Sequence, residues 1–223
     1  MNGKSIAKEI ARCHIVGAGE GTLSSLVRNA HDLVIAADGG YLALAQAGIA
    51  CDLLIGDMDS LDIARMSVHA PVKRLPVRKD VTDLLAAVQH GMAEGYRLFH
   101  LYRVTGGRSD HTYANYQHLL YLAAHGARGV LFDGNTRVST VTSDAPLTLP
   151  RAALGKTFSV FAASGVCEGV CLTGADYPLQ NARLSPDFPL GVSNRMTSCG
   201  AKVSCTQGTL LVFFHEGDDT TNL

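Results

Sequence analysis

From its start to about residue 135 the chain alternates short β-branched apolar runs with Ala/Leu-rich segments of helical period, and this alternation constrains the fold more than any other feature. The runs are Cys13-His14-Ile15-Val16, Leu33-Val34-Ile35-Ala36, Leu53-Leu54-Ile55, a weaker Val72-Lys73-Arg74-Leu75, Leu98-Phe99-His100-Leu101 and Val130-Leu131-Phe132. Helical periodicity lies near 41–47, 81–93 and 111–125. Strands separated by helices pair in parallel through right-handed crossovers, which lines the loops after the strands along one edge of the sheet. Beyond residue 135 the texture changes. Thr136 to Thr142, 156–162, 166–172 and 201–214 are β-rich runs punctuated by Gly, Pro and Asn, without a long helix. The expected fold is an α/β domain over 1–135 with a parallel sheet, followed by an all-β module over 136–223 built as a β-sandwich.

Composition narrows the function. Among 223 residues, 19 Lys plus Arg against 20 Asp plus Glu leave a net charge of −1, without the basic excess that a nucleic-acid backbone attracts. The short cationic cluster Lys73, Arg74, Arg78 and Lys79 reads equally as a solvated face. No apolar run reaches the ~18 residues of a membrane span, and no basic segment followed by an apolar stretch marks the N-terminus, so neither nucleic acid nor membrane is expected as a partner and the cytoplasm is the expected compartment. The six cysteines contain no C-x-x-C pair and read as free thiols. His111, His118 and His125 recur every seven residues, which places them on a helix rather than around a metal.

In open parallel sheets ligands bind beyond the carboxyl ends of the strands, and here those ends are rich in aspartate. Up to residue 133 there are ten Asp and only three Glu. Asp38-Gly39-Gly40 follows the second run, Gly56-Asp57-Met58-Asp59-Ser60 the third, Lys79-Asp80-Val81-Thr82-Asp83 the fourth, and Gly106-Gly107-Arg108-Ser109-Asp110-His111 the fifth. Some of these carboxylates, Asp110 first among them, have a helix-capping role open to them. Asp57 and Asp59 are different: at i and i+2 of an extended segment they point the same way and repel unless a cation lies between them. Oxygen-only ligands suit Mg²⁺, with Asp80 and Asp83, three apart on one face of a helix's first turn, completing the cage. Gly39-Gly40 and Gly106-Gly107 stand where backbone N–H groups approach phosphate at a helix start, and Arg108 adds a bidentate fork; tight βα turns alone would also use such glycines.

Two partial motifs carry little. Gly17-Ala18-Gly19-Glu20-Gly21-Thr22 has Thr22 in place of the third glycine of a dinucleotide fingerprint, and Gly155-Lys156-Thr157 lacks the opening glycine of a P-loop, Pro150 standing there instead.

Taken in order, the four aspartate motifs with Asn115, followed in the β-rich half by Tyr177-Pro178-Leu179, Asn181 and Gly191-Val192-Ser193-Asn194, resemble the motif series of thiamine pyrophosphokinase over nearly the whole chain. The resemblance implies transfer of the pyrophosphoryl unit of ATP to the hydroxyl of thiamine, giving thiamine diphosphate and AMP, by a homodimer with sites between subunits. It implies that Asp57, Asp59 and Asp83 hold Mg²⁺ with Asp80 nearby, that Asp38, Arg108 and Asp110 contact ATP beside Gly39, Gly106, Gly107 and His111, and that Tyr177, Ser193 and Asn194 bind thiamine. Asp59 or Asp83 would take the proton of the alcohol. Two positions depart from the family pattern: Asp176 stands where a lysine is expected, and Arg195 where an acid is common. The rival readings are transfer to another alcohol such as a hydroxymethylpterin, an aspartyl-phosphate phosphatase built on Asp57-x-Asp59, and a non-catalytic sensor of nucleotide or thiamine.

Overall fold

The structure is a computed structural model and describes residues 11–58, 68–76, 78, 80–197 and 200–217. The chain divides into two compact units, Met1–Asp133 and Gly134–Leu223.

In the first unit, β1 (Arg12–Val16), β2 (Leu33–Ala37), β3 (Leu53–Gly56), β4 (Val72–Arg74), β5 (Leu98–Tyr102) and β6 (Arg128–Asp133) form a parallel sheet in the order β6-β5-β1-β2-β3-β4. The central strands are buried along nearly their whole length, which is why their sequences are near-continuous apolar runs rather than alternating ones. The described helices of this unit are α1 (Gly40–Gln46), α2 (Asp83–Ala93) and α3 (Ser109–Ala124). Helix α2 buries Leu84, Ala87, Val88 and Gly91, an i, i+3, i+4, i+7 stripe. A Cβ at Gly91 would come within 2.7 Å of Cys13 Sγ and 2.8 Å of Phe99, so this glycine permits the close packing of helix on sheet.

One expectation changes here, and one partial motif already set aside finds no support. Thr82 caps α2, its hydroxyl accepting from the Leu85 N–H at 3.1 Å, so the helix starts at Asp83 and Asp80 precedes it instead of sharing its first turn. Residues after β1 form turns and bends, and no helix follows Gly17-Ala18-Gly19, which removes the dinucleotide fingerprint.

The second unit contains β7 (Thr136–Val141), β8 (Leu147–Thr148), β9 (Thr157–Ala162), β10 (Cys167–Thr173), β11 (Leu179–Leu184), β12 (Gly191–Arg195), β13 (Lys202–Ser204) and β14 (Leu210–His215). They pair antiparallel in two rows, β12-β9-β14-β7 and β11-β10-β13-β8. Phe158, Val160, Val212 and Phe214 from the first row and Val170, Leu172, Leu184 and Val203 from the second share one apolar cluster, as in a β-sandwich. The expected run 201–214 is two strands, split at a turn in which Gly208 has φ 87°. Gly155 and Lys156 lead into β9, a strand, so the P-loop likeness has no helix to open. The five described cysteines are free thiols.

Candidate active site

The order of the first sheet reverses at β1, which lies between β5 and β2, and a crevice at such a reversal is where open α/β sheets take ligands. A cleft of about 560 Å³ occupies that position. Its walls are the segments that follow the strands: Gly17 to Gly19 after β1, Asp38 after β2, Asp57 after β3, and Arg103 to Arg108 after β5. Val81 to Leu84 at the start of α2, and His111, Ala114 and Asn115 of α3, complete it. The volume falls in the range of small-molecule sites.

Of the residues expected at the site, the fold brings Asp38, Asp57, Asp83, Gly106, Gly107, Arg108 and His111 to this cleft. Asp80, Gly39 and Asp110 do not line it. Asp59 lies outside the described residues, and among those described no three His, Cys, Asp or Glu side chains converge as a metal cage.

Asp38 is the most unusual of these side chains. Its backbone is left-handed, φ 46°, although it bears a Cβ, and its Oδ1 is buried with no hydrogen-bond partner among the described residues. Both features are costly and persist only where the surroundings impose them. Gly56 packs against Asp38, and a Cβ there would approach the Asp38 backbone to 3.2 Å. The Asp38 N–H also donates to the Ile55 carbonyl at 2.8 Å. Gly40 is likewise dictated by packing, since its Cβ would fall 1.9 Å from the Val16 carbonyl oxygen. Asp38, with its unpartnered oxygen, lines the same cleft as Asp57 and Asp83, and although the three are not gathered into a cage, their oxygen-only chemistry suits a hard divalent cation.

At the other wall, Gly106 and Gly107 have φ 81° and 60°, the left-handed conformation that a tight strand-to-helix turn requires. Arg108 and Asp110 pair through two bonds, Nε to Oδ1 at 3.1 Å and Nη2 to Oδ2 at 2.5 Å, both on the surface. The Arg108 hydrogen bonds hold the Asp110 carboxyl below its usual range, and Asp110 Oδ1 also accepts from the His111 N–H at 3.0 Å. Asp110 therefore serves the helix start and orients Arg108. Asn115 Nδ2 donates to the Val104 carbonyl at 2.6 Å and fixes the same loop, while Thr105 Oγ1 donates to Asp133 Oδ1 at 2.7 Å. Sequence reasoning missed Arg103 and Thr105. Their signal was their place directly after β5.

In the second unit, Tyr177 is 71% exposed and Asn194 only 3%. The Asn194 side chain is consumed by the backbone: Oδ1 accepts from the Tyr177 N–H at 3.1 Å and from the Arg195 N–H at 2.9 Å, and Nδ2 donates to the Tyr177 carbonyl at 2.8 Å. It positions Tyr177. Ser193 has φ 55°, is exposed, and donates its N–H to Ser159 Oγ at 3.0 Å. The two departures from the family pattern meet each other, Arg195 Nε donating to Asp176 Oδ2 at 2.9 Å.

Comparison with known proteins gives the same family twice along the chain. The description "Thiamin pyrophosphokinase, catalytic domain" matches residues 24–131, and "Thiamin pyrophosphokinase, vitamin B1 binding domain" matches 145–210. A thiamine pyrophosphokinase of Bacillus subtilis (strain 168) is 26% identical over 186 residues, 82% of this chain and 86% of that protein. The solved thiamin pyrophosphokinase of Geobacillus thermodenitrificans is 25% identical with a TM-score of 0.80, covering 93% of this chain and 99% of its own. That of Candida albicans, at 13% identity, keeps the fold with a TM-score of 0.75 over 95% and 91% of the two chains.

Proposed function

The chain belongs to the thiamin pyrophosphokinase family, and from that premise we propose that it moves the pyrophosphoryl group of ATP onto the hydroxyl of thiamine, forming thiamine diphosphate and AMP. The observation that carries the reading is the cleft at the reversal of strand order, where Asp38, Asp57 and Asp83 face the Gly106-Gly107 turn. In the reaction the alcohol oxygen attacks the β-phosphorus and the bond from that phosphorus to the oxygen of AMP breaks. No covalent intermediate with the protein is needed. The tasks left to the chain are to align the attacking and leaving oxygens and to offset charge on the phosphates.

Asp57 and Asp83, with Asp59 from the same motif, would hold Mg²⁺, which when bound neutralises the phosphate oxygens. Arg108 and the N–H groups of Gly106 and Gly107 would bind the phosphate tail, with Asp38, Gly39, Asp110 and His111 around the rest of ATP. Tyr177 would present its exposed ring to the flat rings of thiamine, held in place by Asn194, with Ser193 beside it. The domains then divide the work, nucleotide and metal on the first and thiamine on the second. A homodimer is supported by the large side chains that the second unit leaves exposed, Tyr177, Phe188, Leu190 and Val192. No described helix is long and apolar enough to cross a membrane, and the cytoplasm is the proposed compartment.

Incubation of the purified protein with ATP, Mg²⁺ and thiamine should yield AMP and thiamine diphosphate in equal amounts by chromatography. Formation of ADP, or AMP appearing only with a hydroxymethylpterin in place of thiamine, would overturn the assignment.

A further inference from the structure

We infer that Arg103, one residue beyond β5, is a phosphate-binding residue of the cleft, held in a strained conformation so that its guanidinium meets the anionic tail of the nucleotide. The inference rests on the proposed function and adds a cation that the aspartate and glycine motifs do not contain.

Three observations converge on this residue. Its φ is 53°, a left-handed backbone that L side chains adopt reluctantly. Its Nε is buried and has no hydrogen-bond partner among the described residues. It also lines the cleft that contains Asp38, Asp57 and Asp83. Its Nη1 donates to the Gly21 carbonyl, which fixes one corner of the fork and leaves the Nε edge unsatisfied.

The surroundings impose the strain. The Gly17 N–H donates to the Tyr102 carbonyl at 2.9 Å, the Gly19 N–H to the Arg103 carbonyl at 2.7 Å and the Glu20 N–H to the Thr105 carbonyl at 2.9 Å. A Cβ at Gly17 would stand 2.8 Å from the Arg103 oxygen, and one at Gly19 would stand 2.7 Å from it. The glycine run that imitates a dinucleotide fingerprint is therefore the backing against which the Arg103 peptide is pressed. A residue that only filled space here would be served better by glycine, which takes this conformation freely. A guanidinium in its place, with a buried donor unpaired, fits a ligand that supplies the missing acceptor, and phosphate oxygens match its fork.

The test uses the full chain and three variants, R103G, R103N and R103K, with calorimetric titration of MgATP and of adenosine and a melting curve for each. The expected result is that R103G and R103N lose about tenfold or more in MgATP affinity while adenosine binding is unchanged and neither melts below the parent. R103K keeps the charge without the fork and should recover part of the loss. Equal MgATP affinity in the parent and R103G overturns the inference, as does a loss of MgATP and adenosine binding together with a lowered melting temperature, which is the signature of a structural role. Should R103G not fold, R103N, whose residue tolerates the left-handed region, decides by the same criteria. A parent that binds no MgATP removes the proposed function itself, a failure distinct from these.

Discussion

In the first unit the non-glycine residues with positive φ, Asp38, Met58 and Arg103, each follow the carboxyl end of a parallel strand, whereas in the second Asn181 and Ser193 sit inside β11 and β12, at the end of each row. The second pair coincides with breaks in register. Three residues of β12 span two of β9 between Gly191 and Asn194, and β11 slips in the same way against β10. An antiparallel edge strand can swell into a bulge and turn a side chain outward at small cost to the ladder. A buried parallel strand has no such freedom, so its distortion is deferred to the point where it leaves the sheet. Strain of either kind collects at functional positions because only a surrounding structure built for a ligand keeps it in place. The lesson is that one chain distorts its backbone by two devices, at strand ends in the first unit and at bulged edge strands in the second.

The comparison breaks most visibly if the strand-end carboxylates are dispensable. Replacing Asp57 by Asn should lower AMP formation by about 10²–10³-fold while the melting temperature stays near that of the parent, measured by a coupled AMP assay and calorimetry. Retained turnover would move the chemistry away from the first unit.

Acid should separate the units next. His118 is buried in α3 at 6% exposure, its Nδ1 has no partner among the described residues, and burial pushes its pKa down to about 4. The unfolded chain takes up this proton near its ordinary value of ~6.5 and the folded unit resists until about 4, so the stabilisation is fully present above ~6.5 and is lost as pH falls through that window. The loss is of order 3 kcal/mol for the first unit, and H118L should flatten it in urea titrations from pH 7 to 4. Burial lowers His14 in the same direction, while the second unit has no buried imidazole among the described residues.

On the β-rich side, Asn194→Ala removes three bonds that fix the Tyr177 and Arg195 backbone. It should cost about 1–3 kcal/mol and raise KM for thiamine about tenfold with KM for ATP unchanged, read from initial rates. Smallest of all is the surface pair. Asp176→Arg alone should weaken thiamine binding or stability by less than about 1 kcal/mol, and adding Arg195→Asp should restore it, measured as a double-mutant cycle.

Much of this was legible in the sequence because both units are written in period. The strands β1, β2, β3 and β5 stand where the apolar runs stand, since burial leaves little choice of residue, whereas the weaker run at β4 is exposed throughout. The strands β8, β11 and β12 were not legible, the first being two residues long and the other two largely exposed and broken by bulges. Asp57 and Asp83 meet in one cleft although 26 positions separate them, and spacing after the strands was enough to show it. Arg103 was hidden because nothing in Tyr102-Arg103-Val104 marks a left-handed residue; only the glycines opposite it do, and they contact it from a different strand end. That Asn194 holds the Tyr177 backbone was not legible, because such a role resides in hydrogen bonds rather than in residue type.

The most direct test is a crystal of the full chain grown with Mg²⁺ and a non-hydrolysable ATP analogue. The account predicts the metal on Asp57 and Asp83 and the phosphate tail between them and Arg103, above the carboxyl ends of β1, β3 and β5. A nucleotide bound with its phosphates outside this cleft, or a cleft left without metal while the analogue binds elsewhere, would contradict it.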